Sequence, residues 1–360
     1  MSSASEQLNQ FGWDEWFEAK AREKVLSGHR LARVVAVDRD QLLVMDGAGE
    51  FRAKLAGRFL YLTEEAIDFP CVGDWVCIQS ASSDMFGIIH DVIPRKSFLR
   101  RKAAGDAIEY QMIAANMDVA LIVQSCHFDF NVNRLERYLV MVREGHVHPV
   151  VLLTKTDLVS PDALQQQIEK IRNAGIDTEV IALSNVTGEG VDDVREILQS
   201  GKTYCFLGSS GVGKSTLINQ LIGRHILETK VVSGTGEGRH TTVRRELIML
   251  NNGAMLIDNP GMREFGILGA GEGMGDSFAD IYELASKCKY SDCSHSNEPG
   301  CAVLRAMEEG NLHRVHYQNF IKLRNESEFH DLSYLEKRNK DKAFGRYIKS
   351  VKKDLGMTRK

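Results

Sequence analysis

Eight consecutive residues, Gly208, Ser209, Ser210, Gly211, Val212, Gly213, Lys214 and Ser215, match the pattern G-x-x-x-x-G-K-[ST]. Glycines there let backbone N–H groups curl around phosphate oxygens. The lysine adds a point charge towards the β- and γ-phosphates, and the last serine offers a hydroxyl to Mg2+. An apolar run at 204–207 precedes the pattern and a helical run opening at Thr216 follows it. That context sets the phosphates at a helix N-terminus, whose partial positive charge favours anions. The fixed positions coincide by chance in roughly one chain of this length in a hundred, so the pattern in its context points to a nucleotide. It does not say which.

The base must be read elsewhere. Thr154, Lys155, Thr156 and Asp157 follow the apolar run 150–153, which places them at the carboxyl end of a strand, where open α/β sheets bind ligands. The Asp157 carboxylate can accept from guanine N1–H and N2–H2. Adenine has neither donor, so an unpaired carboxylate would reject it, while the Lys155 stem lies along the base. The competing structural reading makes Thr154 or Asp157 the cap of a helix that begins near Pro161. Ser184 and Asn185 close a further strand and precede a loop at 187–190 that can present an N–H to guanine O6. Beyond the phosphate loop, Asp258 opens the sequence Asp-Asn-Pro-Gly261 after another apolar run. There the aspartate would hold Mg2+ through water and the Gly261 N–H would meet the γ-phosphate, unless the segment is a plain turn. Between them, a glycine-rich stretch at 234–242 supplies His240, Thr241 and Thr242, the hydroxyls a first switch needs. Met262 stands where many small GTPases place a water-orienting glutamine, and a thioether cannot do that work. His240 is the candidate for it, against the alternative of a solvated loop histidine.

Cys288, Cys293, His295 and Cys301 supply three thiolates and one imidazole within 14 residues. Such a set suits tetrahedral Zn2+ and leaves no position open for water, so one structural ion is expected, one whose removal should unfold the surrounding helices. Four further cysteines are scattered, which in a reducing compartment favours metal ligation over disulfides for the bunched set.

Elements must position these groups. The chain has 360 residues, 43% hydrophobic and 26% charged, with net charge −4; this is globular composition, long enough for two or three domains. No apolar window reaches spanning length and residues 1–16 lack an apolar core, so neither a membrane span nor a secretion signal is expected and the cytoplasm is the default. Charge is uneven: residues 336–360 hold ten basic and three acidic side chains, a local +7 against −11 for the rest. An amphipathic arm occupies 1–28. Five short strands with turn signals between them predict an OB-fold β-barrel over 29–97, and a basic linker follows at 98–110. Strand-like and helix-like runs then alternate over 111–268, the pattern of βαβ units and a mainly parallel sheet. The expected class is thus α/β, ending in a zinc-binding helical domain at 269–345 and a basic tail at 346–360.

The motif order is unusual: base-reading loops at 154 and 184 precede the phosphate loop, and both switches follow it. This order resembles the circularly permuted, small-ribosomal-subunit-dependent GTPase family known as RsgA or YjeQ. The similarity covers about residues 30–345, including Gln111 to Asp118, the phosphate loop, Gly238 to Thr242, Asp258 to Gly261 and the Cys/His cluster. Thr154 departs from the family's usual asparagine, which points to weaker guanine affinity with Asp157 still setting base identity. The resemblance implies a GTP hydrolase that binds GTP/GDP, Mg2+ and Zn2+. It also implies action in late maturation of the 30S subunit with turnover stimulated by that subunit, and contacts to 16S rRNA from barrel and tail. A monomer without membrane attachment is expected. The alternatives are a phosphate-loop ATPase or small-molecule kinase, and a non-enzymatic RNA-binding assembly factor that merely holds GDP.

Overall fold

A computed structural model describes residues 7–22, 29–38, 41–80, 86–102, 110–223, 245–258 and 271–331. The first strands, β1 (Arg30–Val37), β2 (Leu42–Met45), β3 (Glu50–Leu55), β4 (Trp75–Ser80) and β5 (Phe86–Val92), pair in the order β1-β2-β3-β5-β4, and β4 returns to β1. That closure makes a five-stranded barrel and removes its sheet edges. Alternation fills it: Val34, Val44, Ala53, Val76, Ile78 and Ile89 point inward. A short helix, α2 (Gly57–Leu62), lies between β3 and β4.

The expected arm contains α1 (Glu15–Ala21), capped by the Asp14 carboxylate, which accepts from the N–H groups of Trp16 and Phe17. Its neighbour Trp13 meets Trp75 edge-on at 4.8 Å. Arg33, 1% exposed, donates to the carbonyls of Phe11, Gly73 and Asn116. One guanidinium therefore ties arm, barrel and the following sheet together. Burial lowers its pKa to about 10, which still leaves it charged at neutral pH.

Part of the stretch expected as a basic linker is ordered as β6 (Phe98–Lys102), antiparallel to β7 (Tyr110–Ala115). Arg100, Arg101 and Lys102 disguise the strand as a linker. Its pairing rests on main-chain bonds and on stacking, with the Arg100 guanidinium 4.2 Å from the Tyr110 ring centroid.

The central sheet runs β10 (Val180–Leu183), β9 (His148–Thr154), β8 (Val119–Ser125), β11 (Thr203–Leu207), β13 (Met255–Asp258), all parallel, with β12 (Glu246–Met249) antiparallel at the end. One residue pair, Ala36 with Glu246, carries the sheet on into the barrel. Strands β8, β9 and β11 are nearly continuous apolar runs, as strands covered on both faces must be. Helices α3 (Val132–Glu144) and α4 (Pro161–Asn173) cover one face; α5 (Val191–Ile197) and α6 (Lys214–Ile222) cover the other. The carboxyl ends of β8, β9, β10, β11 and β13 all open towards the same side, the side that holds the predicted loops.

Four helices complete the described chain: α7 (Gly271–Ser277), α8 (Ala279–Ala285), α9 (Ala302–Glu308) and α10 (Arg314–Asp331). Their core includes Phe278, Ile281, Val303, Phe320 and Leu323, and also Val140 from α3. The C-terminal helices thus share a core with the central domain.

Candidate nucleotide site and metal cluster

The phosphate loop joins β11 to α6 through three glycines with positive φ: Gly208 at 142°, Gly211 at 79° and Gly213 at 102°. A Cβ on Gly208 would lie 2.2 Å from the Val123 carbonyl oxygen, so only glycine allows the loop to cross β8. Lys214 folds back into the loop, its Nζ donating to the carbonyls of Gly208 at 2.7 Å and Ser209 at 2.6 Å. Ser215 and Thr216 follow in the first turn of α6.

Two other loops are bonded directly to this one. The Thr154 hydroxyl, fully buried at the end of β9, donates to the Val212 carbonyl at 2.6 Å. Asn185 donates from Nδ2 to the Gly213 carbonyl at 3.1 Å, and its own carbonyl accepts from Gln220 at 2.7 Å. The second and third loops are joined to each other: Ser184 Oγ donates to Asp157 Oδ1 at 2.5 Å while accepting the N–H groups of Val186 and Thr187. Residues of three loops, at 154–157, 184–185 and 208–214, therefore form one bonded cluster, with the Asp157 carboxylate exposed at its rim.

The capping alternative for the base-reading loop does not describe this geometry. Helix α4 is capped by Ser160, whose hydroxyl accepts from the Ala163 N–H. Thr154 and Asp157 are left for other partners. Lys155 sits in the left-handed region at φ 61°, a conformation non-glycine residues rarely adopt and that clusters at functional sites. Its ammonium lies 4.4 Å from the centroid of the half-exposed Phe128 ring. Burial holds its pKa below the usual lysine range, against the opposing pull of Asp157 and Asp129. Thr156 occupies the short turn that follows.

The loop after β8 adds residues that the sequence did not single out. Arg134 donates to the Ser209 hydroxyl at 3.0 Å and pairs with Asp129 at 2.9 Å. Asp129 is 9% exposed, and burial raises its pKa although Arg134, Ser209 and Lys214 all favour its charged form. These positions belong to no short motif; the available signal was an arginine in the first turn of α3, against the helix dipole.

Not every expected residue is placed. Asp258 ends β13, in register with Glu246 on β12. His240, Thr241, Thr242 and Gly261 lie outside the described residues.

At the other end of the chain, the ligand atoms of Cys288, Cys293, His295 and Cys301 all lie within 4.8 Å of one another. His295 Nδ1 is 3.6 Å from the sulfurs of both Cys288 and Cys301, which are 3.9 Å apart. A tetrahedral ion with Zn–S near 2.3 Å and Zn–N near 2.0 Å requires edges of roughly 3.5–3.8 Å, so the donor set fits Zn2+ and no disulfide is present. The Ala302 N–H donates to the Cys288 sulfur at 3.3 Å and the Leu304 N–H to that of Cys301 at 3.5 Å. His295 takes a left-handed φ of 63°, and its carbonyl accepts from the Tyr317 hydroxyl at 2.5 Å.

Residues 92–268 match the RsgA GTPase family. The small ribosomal subunit biogenesis GTPase RsgA 2 of Lactiplantibacillus plantarum is 41% identical over 325 residues, 89% of this chain and 90% of the relative. RsgA 1 of Bacteroides thetaiotaomicron is 37% identical, covering 98% of this chain and 99% of its own. Among solved structures, YjeQ from Thermotoga maritima superposes with a TM-score of 0.62 at 25% identity, over 82% of this chain and 97% of its own. YloQ, a circularly permuted GTPase, gives 0.58 at 26%, over 87% and 96%. With the bonded loop cluster and identity sustained along nearly the whole chain, the protein belongs to the RsgA GTPase family.

Proposed function

We propose that this chain is a GTP hydrolase acting as an assembly factor in late maturation of the 30S ribosomal subunit, its turnover stimulated by that subunit. The observation that supports the nucleotide reading is the direct bonding of the Thr154 and Asn185 side chains to the phosphate loop. The Asp157 carboxylate selects guanine, Lys214 and the loop N–H groups bind the phosphates, and Ser215 with Asp258 would hold Mg2+, which neutralises phosphate charge. His240 orients the attacking water, with Thr241, Thr242 and the Gly261 N–H closing on the γ-phosphate. A turnover unchanged in His240→Ala with small subunits present removes His240 from that role. Zn2+ held by Cys288, Cys293, His295 and Cys301 would be structural, since all four positions are protein ligands.

The ribosomal part of the reading is supported by the names of the relatives, by the barrel, read as an OB-fold of the kind that binds oligonucleotides, and by the +7 tail. Contacts to 16S rRNA would be dominated by phosphates and weaken with salt. No helix among the described residues is long and apolar enough to cross a membrane, and we place a monomer in the cytoplasm. The test is GTP turnover by the full chain with and without purified 30S subunits at two salt concentrations. Stimulation that fades at the higher salt is expected. Equal turnover of ATP, or no response to the subunit at either salt, contradicts the proposal.

A further inference from the structure

Helix α3 meets the phosphate loop with one face and the C-terminal helices with another. On the first face, Arg134 bonds the Ser209 hydroxyl and Asp129 as described. Ser209 is an interior residue of the loop, so the Arg134 bond holds the loop against α3. On the other face, Glu136 accepts from His316 at 2.6 Å and from Asn319, while Arg137 forms a two-pronged pair with Glu326, one prong at 2.7 Å. Val140 enters the C-terminal core, and Gly273 sits so close to α3 that a Cβ there would be 2.1 Å from the Val140 carbonyl oxygen. Residue 134 is thus two and three positions from the docking residues 136 and 137 along one continuous helix.

Arg134 breaks a local preference. The N-terminal turn of a helix carries partial positive charge and disfavours a cation. Departures of this kind mark positions kept for a contact elsewhere, here Ser209 and a carboxylate whose second oxygen, Asp129 Oδ2, is buried without a hydrogen-bond partner among the described residues.

We infer that Arg134 is a positioning residue for nucleotide binding and hydrolysis, holding the phosphate loop through Ser209 and tying its position, along α3, to the docking of the C-terminal helices. Arg134 acts through Ser209 rather than on the reacting atoms. Linkage then runs both ways: a partner that shifts the C-terminal helices changes nucleotide affinity, and nucleotide changes the docking by the same factor. The inference rests on the guanine-nucleotide reading above.

The experiment is GDP titration and steady-state GTP hydrolysis with the zinc-loaded full chain. The variants are Arg134→Ala, Arg134→Lys, Arg137→Ala, the Arg134→Ala/Arg137→Ala double variant, and the charge reversal Arg137→Glu/Glu326→Arg. Arg134→Ala is expected to weaken GDP about tenfold, the order for losing a charged hydrogen bond, and Arg134→Lys to recover part of it. Arg137→Ala, remote from the site, is expected to weaken GDP about threefold alone, to add nothing in the Arg134→Ala background, and to be rescued by the charge reversal. Equal effects of Arg137→Ala in both backgrounds, or none in either, overturn the inference. Failure of the unaltered chain to bind GDP overturns the nucleotide reading instead, so the two failures are distinguishable.

Discussion

The nucleotide site and the Cys/His cluster are both sets of loops brought to a point, yet they are held by different means. The nucleotide loops span residues 124–216 and leave the ends of parallel strands, of which β8, β9 and β11 are buried on both faces and the edge strand β10 buries alternate residues. Their mutual bonds, Thr154 to Val212 and Asn185 to Gly213, finish a geometry that the sheet has already set. The cluster spans only residues 288–301, and the loop it closes holds no helix or strand, running from near the end of α8 to the start of α9. Its donors are close enough for an ion to join them, and the ion's bond energy would add to the few contacts that Cys288, Cys293 and Cys301 make with the helical core. A site built on a sheet can stay formed when empty, whereas a site built on a metal cannot.

Metal removal sharpens that contrast most. Chelation, or Cys301→Ser, is expected to unfold the segment around α9 while leaving the central sheet folded and GDP affinity reduced but not abolished, since structural Zn2+ contributes on the order of 10 kcal/mol to folding of such clips. Hydrogen exchange on apo and zinc-loaded protein separates the two regions. Equal protection of residues 288–308 in both states would mean that this segment stands without metal.

A smaller effect concerns the seam between the regions. His316 is buried between Glu136 and Asp280, at 2.6 and 3.2 Å. Burial alone would lower its pKa, but the two carboxylates outweigh it and raise the value to about 9. Burial keeps Glu136 above its usual range, whereas the half-exposed Asp280 is held below it. A raised histidine pKa stabilises fully below the unfolded value near 6.5 and is lost as pH climbs through the folded value. Docking of the C-terminal helices is therefore expected to weaken between about pH 6.5 and 9, by on the order of 2 kcal/mol. Thermal unfolding in excess zinc measures it, and His316→Gln should flatten the dependence.

Smallest is the single hydroxyl of Thr154. Thr154→Val keeps the shape and removes the hydroxyl's contacts with the Val212 and Gln124 carbonyls. A loss of about 1 kcal/mol, near fivefold in GDP affinity, is expected by calorimetric titration. No change would mean that the sheet alone positions the base-reading loop.

What could be read in advance follows the same division. The phosphate loop and the Cys/His set were legible because phosphate and zinc each demand particular residue types at short, fixed spacing. The parallel strands were legible from apolar runs such as 150–153. The β6 strand was not, because Arg100, Arg101 and Lys102 pair through the main chain and hide the alternation expected of a strand. Arg134 was missed for another reason: its partner Ser209 is 75 residues away, and neither spacing nor composition signals a contact that the packing of α3 creates. Likewise, nothing near Glu136 announces that its charge will be met by His316 across a domain seam.

The central claim is that loops from 154 to 216 enclose one guanine nucleotide with Asp157 reading the base. Its most direct measurement is competitive binding of GDP, xanthosine diphosphate and ADP to the unaltered chain and to Asp157→Asn. An amide donates where the carboxylate accepted, so it matches the carbonyl that xanthine carries in place of the guanine amino group. The expected result is strong preference for GDP in the unaltered chain and a switch to xanthosine diphosphate in the variant. Comparable binding of ADP and GDP, or a variant that still prefers GDP, would contradict the account.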